Sequence, residues 1–296
     1  MRGFLSSLRF VVNHPLNRNN PAEAVKRWVK WHIGSRLVPG PVAVNFVDDV
    51  QMLVSPGMTG ATGNVYAGLH EFEDMAFVLH SLRPGDLFVD VGANVGSYTL
   101  LAGGAAKATC ISIEPLPSTF AHLAKNVALN ALHGKVTLKN LAVGKEDGVV
   151  RFTSGLDTEN HVVSGEDQGR DFQEVPIERL DAILAGCAPR VIKIDVEGFE
   201  MNVVDGAQTT LSAGSLDAVL LELNGLGARY GFDEAEIHRR MVGFGFRPYS
   251  YTPSNRTLTL EDSPRELGNT LYIKNLDAVR ERVATAPVFT VLNQQI

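Results

Sequence analysis

One stretch narrows the fold more than any other. Leu87-Phe-Val-Asp90-Val is an apolar run carrying an acidic residue, and Gly92, Asn94 and Gly96 then lead into a helical pattern. A strand that turns through glycines into a helix is the opening unit of a parallel sheet covered by helices. Glycine permits the tight turn and lets backbone approach a ligand where a Cβ would collide. The helix that follows is expected to offer free N–H groups to acceptor atoms.

The rest of the chain repeats this alternation. Strands are predicted over 109–113, 136–143, 191–194 and 218–223, with helices through 99–103, 119–130 and 200–207. Residues 249–251 and 270–273 read as a closing hairpin at a mixed sheet edge. Upstream, a helix over 21–33 ends at Gly34, and a hairpin pairs 41–46 with 50–55. A loop marked by Gly57, Gly60, Gly63 and Gly68 leads to a helix over 71–82. Between 143 and 175 five glycines break the pattern around Thr158-Glu159-Asn160-His161, where a substrate loop or a plain surface excursion would sit. The division that follows is a basic helical arm (1–40), a hairpin and lead-in helix (41–82), an α/β ligand-binding domain (83–275) and a tail (276–296).

Composition removes several classes. At 296 residues, 45% hydrophobic and 20% charged, the chain can bury roughly 75% of its unfolded surface. Cys110 and Cys187 are isolated, which gives no disulfide framework and points to a reducing, cytoplasmic setting. No run approaches the roughly 18–20 apolar residues of a membrane span, and the start lacks the pattern of a signal peptide. Residues 1–36 set seven basic side chains against Glu23, a balance of +6, which leaves −12 on the remainder of a chain of net charge −6. That arm, with Phe4, Phe10, Trp28 and Trp31, could meet anionic lipid as a peripheral contact or dock an apolar stripe on the body. The acidic body argues against an extended nucleic-acid partner.

The glycine spacing departs from the dinucleotide fingerprint, because Asn94 stands where a second glycine would let a pyrophosphate approach. Asp90-x-Gly92-x-x-x-Gly96 suits instead a ligand without phosphates, such as the amino-acid end of S-adenosylmethionine. Glu114, at the end of the second strand and 18 positions after Gly96, is placed to accept hydrogen bonds from both ribose hydroxyls. The bland alternative is that Glu114 caps the next helix.

The string over 87–98, with Ile113-Glu114-Pro115 and Ile192-Lys-Ile-Asp195-Val-Glu197-Gly-Phe-Glu200, resembles the FkbM family of methyltransferases, and Gly63-Asn-Val-Tyr66-Ala-Gly68-Leu-His-Glu71 looks like its lead-in. The resemblance spans about residues 40–275. It implies a class I methyltransferase fold, a Rossmann-like seven-stranded mixed sheet with helices on both faces, and O-methylation of a sugar, glycan or natural-product hydroxyl. Asn140 and Ala142 could then border the adenine, while Tyr66 and Glu71 close over the donor.

Two strands end in carboxylates, Asp195 and Glu222, and neighbouring strand tips lie about 5 Å apart. Three readings stay open: a general base for a hydroxyl proton, oxygen ligands to a divalent cation, or a structural role in which Asp195 and Glu197 cap the helix near Glu200 and pair with Lys193. His161 is a further candidate base because imidazole titrates near neutrality. No His-rich cluster points to a transition metal. The alternatives to an O-methyltransferase are an amino-group methyltransferase acting on nucleic acid and a non-catalytic membrane-docking module; the first typically carries an Asn/Asp-Pro-Pro-aromatic string where this chain has Asp195-Val-Glu-Gly.

Overall fold

The computed structural model describes residues 2–37, 40–153, 160–165, 167 and 171–296. Thr158, Glu159, Gly155 and Gly169 of the glycine-marked insertion, and the side chain of Phe4, lie outside the described residues.

Two helices open the chain, α1 (Arg2–Asn13) and α2 (Pro21–Leu37). Pro21 begins α2, where its missing N–H costs nothing. The helix runs through Gly34 rather than ending there, an interior glycine tolerated at a cost of about 1 kcal/mol. Val11, Ala24, Trp28 and Trp31 are buried and join the same hydrophobic cluster as the main sheet. Strands β1 (Val42–Asn45) and β2 (Gln51–Val54) form the expected antiparallel hairpin.

The segment expected to be a glycine loop instead contains helix α3 (Thr59–Ala67). Gly63 serves packing there, since a Cβ would meet the His70 ring at 2.4 Å. Helix α4 (Phe72–Ser81) follows.

The main sheet contains β3 (Leu87–Val91), β4 (Thr109–Ile113), β5 (Val136–Lys139), then β9 (Val191–Ile194), β10 (Ala218–Glu222), β11 (Arg247–Thr252), β12 (Thr257–Leu260) and β13 (Asn269–Ile273). A separate small sheet takes β6 (Ala142–Val143), β7 (Gly148–Thr153) and β8 (Phe172–Glu178). Thus the run 136–143 is two strands in two sheets, and the broken stretch after it begins and ends in the antiparallel pair β7 and β8.

The eight strands lie in the order β12-β11-β13-β10-β9-β3-β4-β5. Strands β5, β4, β3, β9 and β10 are parallel, and β13, β11 and β12 close the sheet antiparallel. The eighth strand is β12, which also separates β11 from β13 along the chain, so the closing hairpin is made through an extra strand. Parallel strands buried on both faces read as continuous apolar runs, and alternate residues feed different cores. Phe88, Ala218 and Leu220 face one cluster, while Val89, Val91, Val219 and Leu221 face the other.

Helices cover both faces: α5 (Ser97–Thr99, continued as a π-helical turn over Leu100–Ala105), α6 (Pro117–Leu129), α7 (Leu180–Ile183), α8 (Glu200–Asp205), α9 (Gln208–Ser212), α10 (Glu234–Gly243) and α11 (Leu276–Ala284). Val279 and Val283 of α11, and Phe289 and Val291 beyond it, are buried in the cluster that α2 also joins. Arg282 donates to both carboxylate oxygens of Asp86, 2.6 and 3.2 Å. No helix among the described residues is long and apolar enough to cross a membrane. From β3 the chain runs outward through β4 to β5, then returns to the other side of β3 at β9. That reversal opens a crevice at the carboxyl ends of β3 and β9, where open α/β sheets take their ligands.

Candidate active site

The register aligns the polar strand tips. Val91 pairs with Ile113 on one side and Ile194 on the other, and Ile194 pairs with Leu221. Glu114, Gly92, Asp195 and Glu222 each stand one residue beyond those partners, in one row along the carboxyl edge. A cavity of about 270 Å³ lies over the Glu114, Gly92 and Asp195 tips of this row, lined also by Glu71, Asn94 and Glu197 among others, while Glu222 stands outside its described lining. A second space of about 100 Å³ shares several of these residues and reaches Asp90, Tyr98 and Lys193.

The glycine turn is tightly determined. Gly92 has φ +79°, and a Cβ there would meet the Asp195 carbonyl oxygen at 1.8 Å. Gly96 has φ +95°, with Leu123 Cδ1 at 2.5 Å from the same hypothetical atom. Asn94 adopts φ 51° without being glycine, and its Oδ1 accepts from Val95 N at 2.8 Å. Short polar side chains tolerate that region by such local bonds.

The N–H groups of the turn itself, ahead of the helix, are used within the protein. Gly92 N and Ala93 N donate to the Ile113 carbonyl, and Gly96 N donates to the Ala93 carbonyl. Asn94 N donates to Glu114 Oε2 at 3.0 Å. The donors a phosphate would need are already used within the protein, in keeping with the departure from the dinucleotide pattern.

Glu114 is buried, 6% exposed, at the cavity wall. Its other oxygen accepts from Leu116 N at 3.0 Å, beside the start of α6. Capping and cavity-lining therefore coexist in one carboxylate, each oxygen keeping a lone pair beyond its backbone bond. Burial pushes its carboxyl up to about 7, against the pull of the Leu116 and Asn94 N–H groups. Asn140 lies behind this tip: its amide donates to the carbonyls of Glu114 and Pro115, 2.8 and 2.9 Å. Ala142 lines a narrow apolar recess of about 20 Å³ with Ile113, Phe152 and Val196.

Asp90 points inward rather than lying free. Its carboxylate accepts from the Thr99 hydroxyl at 2.7 Å, and Thr99 also bonds Ser112 at 2.7 Å. Glu71 is held from two sides, by the Tyr98 hydroxyl at 2.8 Å and the Asn269 amide at 2.9 Å.

On the far side of the row, Lys193 Nζ donates to Asp195 Oδ2 at 2.6 Å and sits 4.8 Å from the Tyr98 ring centre. Burial opposes the lysine's charge, but Asp195, Glu71 and Asp90 outweigh it and hold the ammonium above its usual range. Burial likewise opposes ionisation of Asp195, yet Lys193 holds that carboxyl below the usual range. Burial and the charge on Asp195 push Glu222 up. At neutral pH the pair therefore keeps one proton, on Glu222, and Asp195 is the ionised partner. Asn224 donates to Glu222 Oε2 at 3.0 Å. Oxygens of Asp195, Glu197 and Glu222 lie within 4.8 Å of one another, and the cation set against Asp195 is the Lys193 ammonium. Capping of the turn before α8 falls to Glu200, whose Oε1 accepts from Val196 N and Gly198 N, both at 3.1 Å.

Two expected residues stand elsewhere. The Tyr66 hydroxyl faces His32 Nε2 of α2 at 3.4 Å, with the rings stacked at 5.9 Å. His161 is buried, 3% exposed, with Nε2 at 3.2 Å from both Asp167 oxygens, so its imidazole holds the insertion together rather than lining the cavity. Its neighbour Asn160 lines the cavity, as do His70 and Phe152. Sequence reading assigned no role to Tyr98, His70, Phe152, Asn160 or Asn269. Three of them lay within strings it had marked: Tyr98 two residues after Gly96, His70 beside Glu71 and Asn160 beside His161.

The donor set suits a cation. Glu71, Glu114, Asp195 and Glu197 line the larger cavity, where His70 is the basic side chain among the described lining. S-adenosylmethionine, with its sulfonium and ammonium groups, fits such a lining and a pyrophosphate does not.

The hexuronic acid methyltransferase AglP of Haloferax volcanii is 26% identical over 156 residues, 52% of this chain and 62% of that protein. The 31-O-demethyl-FK506 methyltransferase FkbM of Streptomyces tacrolimicus is 38% identical over 85 residues, 28% of this chain and 32% of that protein. The chain thus spans less than two thirds of either relative's length. Among solved structures, a precorrin-6y C5,15-methyltransferase from Geobacter metallireducens aligns with 69% of this chain and 88% of its own, at 12% identity and a TM-score of 0.41. The sequence model of the "Methyltransferase FkbM domain" matches residues 90–248. The chain belongs to the FkbM methyltransferase family.

Proposed function

We propose that the protein is an S-adenosylmethionine-dependent O-methyltransferase acting on a hydroxyl of a sugar, glycan or natural-product acceptor. One geometric observation carries the reading: Asp195, paired with Lys193, and Glu114 flank the Gly92 turn at the carboxyl edge of the sheet, and both line an acidic cavity. S-adenosylmethionine, when bound, supplies an electrophilic methyl group on a sulfonium. Glu114 would accept from its ribose hydroxyls, and Glu71, fixed by Tyr98 and Asn269, would meet its ammonium group. Asp195 takes the acceptor's hydroxyl proton as the oxygen becomes nucleophilic, while Lys193 keeps Asp195 ionised beforehand. Orienting the partners is the larger contribution, on the order of 7–11 kcal/mol, and a positioned base adds about 10²–10⁴-fold. Of the two relatives' names, the one for a 31-O position supports an oxygen acceptor, and the one for a hexuronic acid supports a sugar acceptor, which bears carboxyl as well as hydroxyl oxygens.

The test has two parts. S-adenosylhomocysteine should bind in calorimetry, and labelled methyl donor should transfer label into a glycan, lipid or small-metabolite fraction. Absence of binding would sink the donor assignment. Label appearing only in RNA would overturn the hydroxyl acceptor in favour of an amino group.

A further inference from the structure

The two faces of α2 differ sharply in what they meet. Ala24, Trp28 and Trp31 face the body and are buried, and Arg27 turns inward to Asn17 Oδ1 at 2.6 Å and the Tyr66 carbonyl at 3.1 Å. The aromatic rings expected to make the arm sticky are therefore in the core. Lys26, Val29, Lys30, Ile33, Arg36 and Leu37 recur at helical spacings of three and four, and all are exposed. At 100° per residue they fall within one arc of about 120°, opposite Trp28 and Trp31. Val29, Ile33 and Leu37 are 39%, 57% and 76% exposed, increasing toward the end of the helix.

We propose that this face of α2 docks the protein on an anionic lipid surface. Charge complementarity is the argument for that occupant. Within residues 2–37 the acidic side chain is Glu23, which Lys26 meets at 3.2 Å in an exposed pair; such a pair holds little free energy. Arg36 and Lys30 have no carboxylate partner in the arm's sequence other than Glu23. The rest of the chain carries the excess of negative charge, so headgroups attract this face while repelling the body. Interleaved Val29, Ile33 and Leu37 separate the lipid reading from a nucleic-acid one: side chains of this kind gain by entering the boundary between headgroups and acyl chains, whereas a phosphate backbone offers them nothing. A helix of 17 residues is about 25 Å long, enough to lie in the interface plane. The inference does not depend on the proposed methyl acceptor, because α2 lies outside the cavity wall.

The experiment is co-sedimentation of the full chain with phosphatidylcholine vesicles, with and without phosphatidylserine. Binding should require phosphatidylserine and weaken as salt rises. Reversing two charges (Lys26→Glu with Lys30→Glu) should lower the partition coefficient by about tenfold or more. The pair Ile33→Ser with Leu37→Ser should also weaken binding, with less change in its salt dependence. All four positions are exposed, so the variants should keep the wild-type melting temperature, which is measured alongside. Failure of the chain to pellet with either vesicle, or equal pelleting by all variants, would overturn the proposal. So would binding of the same face to homopolymer RNA in preference to vesicles. A concentration-dependent dimer in sedimentation velocity that Ile33→Ser with Leu37→Ser dissolves would assign the face to a second copy instead.

Discussion

Glu114 holds one backbone N–H on each carboxylate oxygen, and burial lifts its titration to about 7. A ribose donating two hydroxyl protons needs the ionised form. On the proposed reading, S-adenosylhomocysteine affinity should therefore climb as pH rises through about 7 and level off above it. Glu114→Gln should flatten that profile and weaken binding by about 1.5–3 kcal/mol in calorimetry, the range for hydrogen bonds to a charged group. Asp195→Asn should lower kcat by about 10²–10⁴-fold while leaving S-adenosylhomocysteine binding within a few-fold. Glu200 offers a stability test apart from catalysis. Its folded-state titration, raised from 4.5 to about 7 mainly by burial, means the folded protein binds the proton more tightly than the unfolded chain. The stabilisation this confers is complete at acid pH and is lost as pH rises through about 7. Glu200→Gln keeps the Oε1 acceptor for Val196 N and Gly198 N, and above pH 7 should raise the unfolding free energy by about 1–3 kcal/mol in urea melts.

Among the elements, those with continuous apolar runs were legible to the residue: β3, β4 and β9 match the sequence reading at both ends. Reading failed where tertiary contacts overrule local preference. Helix α3 contains Gly60 and Gly63, poor helix formers, yet Gly63 is where the His70 ring packs. The stretch 136–143 reads as one strand because nothing in its composition marks the point where the chain leaves the main sheet for the small one. Asn140, at that point, spends its amide on the carbonyls of Glu114 and Pro115. The site was half legible for a related reason. Glu114, Asp195 and Glu222 stand at strand tips, which periodicity locates, whereas Asn160 and Phe152 come from the β7–β8 insertion that periodicity did not resolve. His161 attracted notice as a titratable loop residue, but a lone imidazole in the chain cannot reveal a buried Asp167 six positions on. At the glycine turn, Gly96→Ala adds a Cβ at φ +95° against a leucine methyl that can shift, while Gly92→Ala drives one into a carbonyl oxygen. Gly92→Ala should thus cost more, about 3 kcal/mol or beyond, and Gly96→Ala less, as read from urea denaturation midpoints.

For the molecule as a whole, the arm and the tail are parts of one hydrophobic cluster with the sheet. Trp28, Trp31, Val279, Phe289 and Val291 all belong to it. Trp28→Ala should therefore destabilise the protein by about 3–5 kcal/mol in thermal or urea unfolding. Removing the arm outright would confound any test of its outer face, which is why paired substitutions on that face are the better probes. Sequence reading recognised the arm's charge and its apolar stripe but left open which residues faced inward; the structure divides them by burial.

At Gly92 a Cβ would run into the Asp195 carbonyl oxygen, which limits how such a site can diversify. The glycine hinge after β3 and the tip that presents Asp195 are fitted to each other main chain to main chain, so neither can be remodelled without moving the other. Lineages that acquire new acceptors should leave this seam alone and vary the β7–β8 insertion and the segments before β3, whose Phe152, Asn160 and His70 border the cavity from outside the sheet.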